Sequence, residues 1–163
     1  MNGAQLNRIG LGIDSHAFVE DRPLVLGGVV IPGSPGLGGH SDADVLSHAI
    51  ADSLLGAANL GDLGHHFPAT DRWKGVSSLE ILREATRLLA DAAWSIMNVD
   101  ATLIAERPKL SAYKDEMRVN LADAMDIDVA ACSVKATTSD GLGFTGRGEG
   151  IAAVAVSLIE RPS

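Results

Sequence analysis

Residues 151–159 (IAAVAVSLI) are apolar at every position except Ser157, so both sides of this segment must leave water. It reads as a strand buried on both faces, and a chain holding such a strand must fold around a sheet that other elements cover. Further strand patterns lie at 8–13 (RIGLGI), at 24–31 (LVLGGVVI) between Pro23 and Pro32, at 97–105 (MNVDATLIA) and at 132–138 (CSVKATT). In 97–105 the alternation puts Val99, Ala101, Leu103 and Ala105 on one face. Helical spacing falls between them. It covers 42–58, with Ser41 as N-cap and Asp44 three residues on, and 78–94, with Leu79, Leu82, Ala85, Leu89 and Ala92 in steps of three and four. A third helix follows Ser111 and carries Tyr113, Met117, Leu121 and Met125. The alternation predicts an α/β (α+β) fold in which helices cover a mainly four-stranded mixed sheet.

The chain has 163 residues, which predicts one domain over 1–163, with 1–6 flexible. Lys and Arg number 13 against 21 Asp and Glu, a net charge of −8, and no basic patch stands out to meet a nucleic-acid backbone. No apolar run is long enough to span a membrane. The opening MNGAQLNRIG lacks the basic region and apolar core of a signal peptide, and the single Cys132 cannot form an internal disulfide. A cytoplasmic protein is expected. Apolar residues make up 46% of the chain but aromatics only 4%, so much of its apolar area comes from small side chains, and subunit interfaces are one place to bury it.

Several side chains suit metal and phosphate chemistry. Asp14 and His16 are two apart at the end of the first strand pattern, so they point to the same side. A carboxylate and an imidazole together suit a borderline cation such as Zn²⁺. His40, Asp44, His48 and Asp52 recur every four residues along the first helix and its entry. Such a stripe is either a solvated face or a functional one, and the absence of Lys and Arg from 41–61 favours function. Asp14, His16 and His48 together would give three protein ligands and leave a fourth position open to substrate, with Asp44 and Asp52 orienting the imidazoles. The run GFTGRGEG at 143–150 is neither a phosphate loop followed by Lys-Ser/Thr nor a dinucleotide fingerprint, because it opens a strand; it reads as a tight turn. The preceding KATTSDG offers hydroxyls and N–H groups to phosphate. Cys132 reads as core, and His65-His66 as loop polarity.

Five segments in order carry a resemblance: GIDSHAF at 12–18, GGHSDADVLSHAIADSLLGAANLGDLG at 38–64, FPATD at 67–71, ERPKL at 106–110, and VKATTSDGLGFTGRGEGIA at 134–152. Across nearly its whole length the chain resembles the 2-C-methyl-D-erythritol 2,4-cyclodiphosphate synthases of non-mevalonate isoprenoid biosynthesis. The resemblance implies a homotrimer with active sites between neighbouring subunits. It also implies a phosphorus–oxygen lyase that converts 4-diphosphocytidyl-2-C-methyl-D-erythritol 2-phosphate to the cyclic diphosphate and CMP.

The resemblance implies these roles position by position. Asp14, His16 and His48 fall on zinc ligands, and Asp140 falls where a carboxylate holds a second ion, Mg²⁺ or Mn²⁺. His40 and Thr138 match catalytic groups, and Ser41 matches a residue on the diphosphate and erythritol. Asp62, Leu63 and Gly64, with Phe67, Pro68, Ala69, Thr70 and Asp71, match substrate-binding loops. Ala105, Glu106, Arg107, Pro108, Lys109, Leu110 and Ser111, with Ala136 and Thr137, match a cytidine pocket. Phe144, Arg147 and Glu149 match residues at a cavity on the trimer axis that takes isoprenoid diphosphates, and Phe144 and Arg147 also count among the substrate contacts. Two positions depart from the family pattern: Ala69 replaces the first Asp of FPDTD, and Asp140 is one methylene shorter than the usual Glu. The residues alone also admit a zinc-dependent phosphohydrolase or a non-catalytic trimer that binds isoprenoid diphosphates.

Overall fold

The structure, a computed structural model, describes residues 5–162. The strands are β1 (Gln5–Val19), β2 (Leu24–Leu26), β3 (Val29–Ile31), β4 (Gly36–Leu37), β5 (Ser95–Ile104), β6 (Cys132–Thr137) and β7 (Gly150–Pro162). The helices are α1 (Val45–Ala58), α2 (Leu63–His66), α3 (Ser78–Asp91), α4 (Lys114–Met125) and α5 (Gly143–Gly146). The main sheet runs β4-β1-β7-β5-β6. Only the β5–β6 pair is parallel, so the sheet is mixed: four long strands and a two-residue edge. Of the residues expected to be flexible, Gln5 and Leu6 are strand residues paired with Pro162 and Arg161, and 1–4 lie outside the described residues.

α1 lies across β1 and β7 and is buried nearly all round, from Val45 and Leu46 to Ala57 and Ala58. The approach is close because β1 has no side chain at two inward positions. A Cβ on Gly10 would stand 1.8 Å from the Ser53 carbonyl oxygen, and one on Gly12 would stand 1.9 Å from that of Ala49. α3 packs beside α1, and α4 packs on α3 and β6 through buried Met117, Leu121 and Met125. The inward face of β5 is the predicted one: Val99, Ala101, Leu103 and Ala105 are all buried.

Three expectations need correction. Segment 24–31 is not one strand. Gly27 and Gly28 take φ of 55° and 71°, and this left-handed pair folds it into the β2–β3 hairpin, a separate two-stranded sheet. The cap of α1 is Asp44, not Ser41; its carboxylate accepts from the N–H groups of Leu46 and Ser47. β7 is sealed on one side only and partly covered on the other. Ile151, Ala153, Ala155 and Ile159 are sealed against the helices, while Val156 is 43% exposed. It shares that open face with β1, whose Ile9, Leu11 and Ile13 are 73%, 60% and 63% exposed.

Candidate metal centre

β1 pairs with β7 as far as Ala17 and its side chains alternate, so Asp14 and His16, opposite Ala153 and Ile151, emerge on one face near the end of that pairing. α1 crosses there and presents His48 one turn from its cap. Asp14 Oδ2 is 2.9 Å from His16 Nε2 and 3.1 Å from His48 Nδ1, and the two ring nitrogens are 3.3 Å apart. Ligand atoms bound tetrahedrally to Zn²⁺ at about 2.0–2.2 Å stand roughly 3.3–3.6 Å from one another, so the three atoms need only spread by a few tenths of an ångström around a common centre to reach that arrangement. Among the described residues, this is the group of His, Cys, Asp and Glu side chains placed to hold a metal ion.

The surroundings prepare these ligands. His16 Nδ1 donates to the Gly38 carbonyl oxygen at 2.6 Å, which leaves the Nε2 lone pair facing the site. The 38–41 loop is held in turn by Arg22, which donates to the carbonyl oxygens of Gly39 at 2.9 Å and Ser41 at 2.6 Å. On the far side of His48, Nε2 meets Ser41 Oγ at 3.1 Å and Ser78 Oγ at 2.9 Å. Burial opposes ionisation of Asp14, but its contacts with His16 and His48 outweigh that and lower its pKa to about 2. Burial likewise opposes the charge on His16, and the adjacent Asp14 more than compensates, raising its pKa above 6.5.

In the metal-free protein the His16 shift adds stability below pH 6.5 that is lost as pH rises through the raised value. The Asp14 shift adds stability above pH 3.8 that is lost as pH falls through about 2. A proton on His16 also competes with the metal. Zinc affinity, read by chelator competition, should therefore fall about tenfold per pH unit below the raised His16 value. An affinity that stays flat from pH 8 down through 6 would contradict this.

The triad opens into a cleft of ≈ 220 Å³ lined also by His40, Ser41, Leu63, Gly64, Phe67, Trp73 and Ile81. His40 Nε2 donates to the Thr70 carbonyl oxygen at 2.6 Å, tying the cleft mouth to the 67–71 loop. Asp62 caps α2 through the His65 N–H and lines a neighbouring recess with Asp14, His48 and Asp52. Pro68, Ala69, Thr70 and Asp71 are exposed beyond the cleft, Asp71 opening a short 3-10 turn to Trp73.

A second cleft, of ≈ 260 Å³, is lined by Ala105, Glu106, Pro108, Lys109, Leu110, Ser111, Ala136, Thr137 and Thr138. Glu106 Oε2 is buried there without a hydrogen-bond partner. Arg107 does not line this cleft; it faces a larger one with Phe18, Glu20 and Ser34. Asp140 is exposed on the loop after β6, with its Oδ1 accepting from Thr138 Oγ1 at 3.2 Å, and it does not join the triad within this chain. Phe144 and Glu149 line a shallow recess beside His16, and Arg147 pairs with Glu149 at 2.6 Å.

The polar stripe on α1 thus divides. Asp44 is fully buried, its pKa raised by burial, and it binds Gly27 N–H and Gly28 N–H at 2.9 Å, fastening the β2–β3 turn to α1. Asp52 accepts from Leu63 N–H at 3.1 Å. Neither orients an imidazole of the triad, contrary to the sequence reading. His65 and His66 sit in α2, and His66 Nε2 donates to the Leu60 carbonyl oxygen at 2.7 Å. Burial pushes the Cys132 thiol up to about 11, as suits a core residue. Sequence reasoning missed Ser78, Asp42, Arg22 and Trp73. Of these only Trp73, an aromatic in a polar segment, stood out in the letters.

A family model, that of the YgbB family, matches residues 7–160. The chain belongs to the YgbB family. Curated relatives called 2-C-methyl-D-erythritol 2,4-cyclodiphosphate synthase are 57% identical over 157 residues in Lachnospira eligens (96% of this chain, 86% of the relative) and 56% identical over 158 residues in Rubrobacter xylanophilus (94% and 95%). Among solved structures, the bifunctional IspDF of Campylobacter jejuni superposes with a TM-score of 0.93 at 40% identity. That match covers 97% of this chain but 43% of the larger protein. The CDP complex of IspF from Plasmodium falciparum matches this YgbB-family chain end to end, with a TM-score of 0.83 at 34% identity. No described helix is long and apolar enough to cross a membrane.

Proposed function

We propose that the chain converts 4-diphosphocytidyl-2-C-methyl-D-erythritol 2-phosphate to 2-C-methyl-D-erythritol 2,4-cyclodiphosphate and CMP, as a cytoplasmic phosphorus–oxygen lyase of non-mevalonate isoprenoid biosynthesis. An oxygen of the 2-phosphate forms a bond to the β-phosphorus, the bond from that phosphorus to the oxygen bridging it to the α-phosphate breaks, and CMP departs with that oxygen; no water is consumed. The observation that carries this reading is the open-sided Asp14–His16–His48 triad at the head of a cleft.

The donor set fits Zn²⁺, one carboxylate with two imidazoles. A zinc ion on the triad and Mg²⁺ or Mn²⁺ near Asp140 would supply positive charge against phosphate oxygens that crowd together on an acidic protein. The protein's own groups do the positioning. His40 and Ser41 stand at the cleft wall beside the diphosphate position, and Thr138 stands at the edge of the second cleft. Leu63, Gly64 and Phe67 enclose the erythritol end. The second cleft takes cytidine, and the unpartnered Glu106 oxygen on its wall is an acceptor in want of a ligand donor. Holding both ends of one flexible substrate replaces a chance encounter with a near-attack geometry. The phosphate nucleophile is already ionised near neutral pH, so no strong base is required.

The exposed Ile9, Leu11, Ile13 and Val156 support a homotrimer that covers the open sheet face and sets sites between subunits. Phe144, Arg147 and Glu149 would then ring an axial cavity that accepts isoprenoid diphosphates. The curated relatives' shared name and the second cleft favour this reading over a phosphohydrolase or a non-catalytic trimer. Phosphorus NMR of the reaction tests it. Metal-loaded protein should release CMP and cyclic diphosphate in equal amounts, whereas open-chain phosphate products, or no turnover, would reject it.

A further inference from the structure

We infer that Ser78 and Asp42 form a hydroxyl–carboxylate relay that fixes which nitrogen of His48 faces the metal position. The inference rests on the metal-centre reading above and assigns roles to two residues that take no part in it. Ser78 is the first residue of α3 and is fully buried; Asp42 lies in the loop before α1. The Ser78 hydroxyl bonds to Asp42 Oδ1, and the Ser78 N–H donates to Asp42 Oδ2 at 3.1 Å, so the carboxylate grips one serine at two points. His48 Nε2 stands 2.9 Å from the same hydroxyl.

The direction of these bonds follows from what each group can do. A carboxylate has no proton to give, so the Ser78 O–H must point at Asp42. Its lone pairs then face His48 Nε2 at 2.9 Å and the Ser41 hydroxyl at 3.3 Å, and the nitrogen, the nearer of the two, meets them with a proton. Ser41 Oγ, 3.1 Å from the same nitrogen, can accept from it while its own O–H turns to Ser78 Oγ at 3.3 Å. With the proton on Nε2, a neutral His48 keeps its lone pair on Nδ1, the atom that faces Asp14 and His16. Asp42 also answers the positive end of α3, which would otherwise repel a cation held nearby.

The test measures zinc affinity by chelator competition on wild type, Ser78→Ala, Asp42→Asn and Ser78→Thr, with the thermal midpoint of each metal-free protein alongside. Ser78→Ala and Asp42→Asn should bind zinc about 10–100-fold more weakly. Ser78→Thr keeps the hydroxyl and should bind as wild type does. In the metal-free protein, nitrogen NMR of labelled histidine should show the proton of neutral His48 on Nε2 in wild type and Ser78→Thr but shared between both nitrogens in Ser78→Ala, a signature that simple loss of packing would not create. Ser78→Ala binding zinc at full strength, an affinity lost equally in Ser78→Thr, or a metal-free wild-type His48 whose neutral form carries its proton on Nδ1 would each overturn the relay while leaving the metal centre standing. Failure of wild type itself to bind zinc would overturn the metal-centre reading and the relay with it. Should Ser78→Ala fail to fold, Asp42→Asn and the wild-type spectrum still decide the question.

Discussion

Replacing His48 with alanine is expected to remove most of the bound zinc and to slow CMP formation by about a thousandfold or more. The size follows from what is lost. His48 supplies one of three protein ligands, and Asp14 and His16 alone leave two donors from a single strand with nothing opposite them from α1. The fold should survive. The imidazole sits beside an open cleft, and water entering the vacated space can bond the Ser41 and Ser78 oxygens at a cost of about 1 kcal/mol. Metal analysis beside a thermal melt separates the two effects. A variant with normal zinc content would contradict the ligand assignment, whatever its activity.

A large effect on stability is expected at Gly12. A Cβ there would stand 1.9 Å from the Ala49 carbonyl oxygen, 2.7 Å from the Ser53 nitrogen and 2.9 Å from the Ala49 carbonyl carbon. All three are backbone atoms of α1, which cannot swing aside as a side chain can. Gly12→Ala must therefore push β1 and α1 apart along their whole contact, at a cost of about 3 kcal/mol or more. For a chain of this length that lowers the melting midpoint by roughly 6–12 °C. Because Asp14 and His16 ride on β1 while His48 rides on α1, the same displacement should weaken zinc binding at temperatures where the variant is still folded. An unchanged midpoint would show that the seam between strand and helix is looser than its geometry implies.

The convergence of Asp14, His16 and His48 is legible in the sequence because their spacing follows element periods. Asp14 and His16 are one strand repeat apart, and His48 lies on a strongly helical stretch. Apolar alternation likewise exposed β5 and the core of α4. Where reading failed, the deciding contact was long-range or the local signal had two meanings. Ser41 and Asp44 have the spacing of a capping box, yet the helix begins one box later, because Asp44 also binds the turn at Gly27 and Gly28. Those two glycines between apolar runs signal a hairpin as well as a strand. β4 is too short to show any period. Ser78 reads as part of a helix start, and nothing near it in sequence reveals that Asp42 and His48, 36 and 30 residues away, meet its hydroxyl. β7 is apolar on both sides, yet among the described residues no element seals its second side, where Val156 is 43% exposed.

The central claim is that a strand end and a helix turn converge on one divalent ion whose remaining position opens to a phosphate. Diffraction from zinc-loaded crystals, collected at the zinc absorption edge, tests it most directly. A single strong anomalous peak should lie within bonding distance of Asp14 Oδ2, His16 Nε2 and His48 Nδ1, with its free side toward His40 and Phe67. A peak held by other residues, or no peak at the triad, would contradict it.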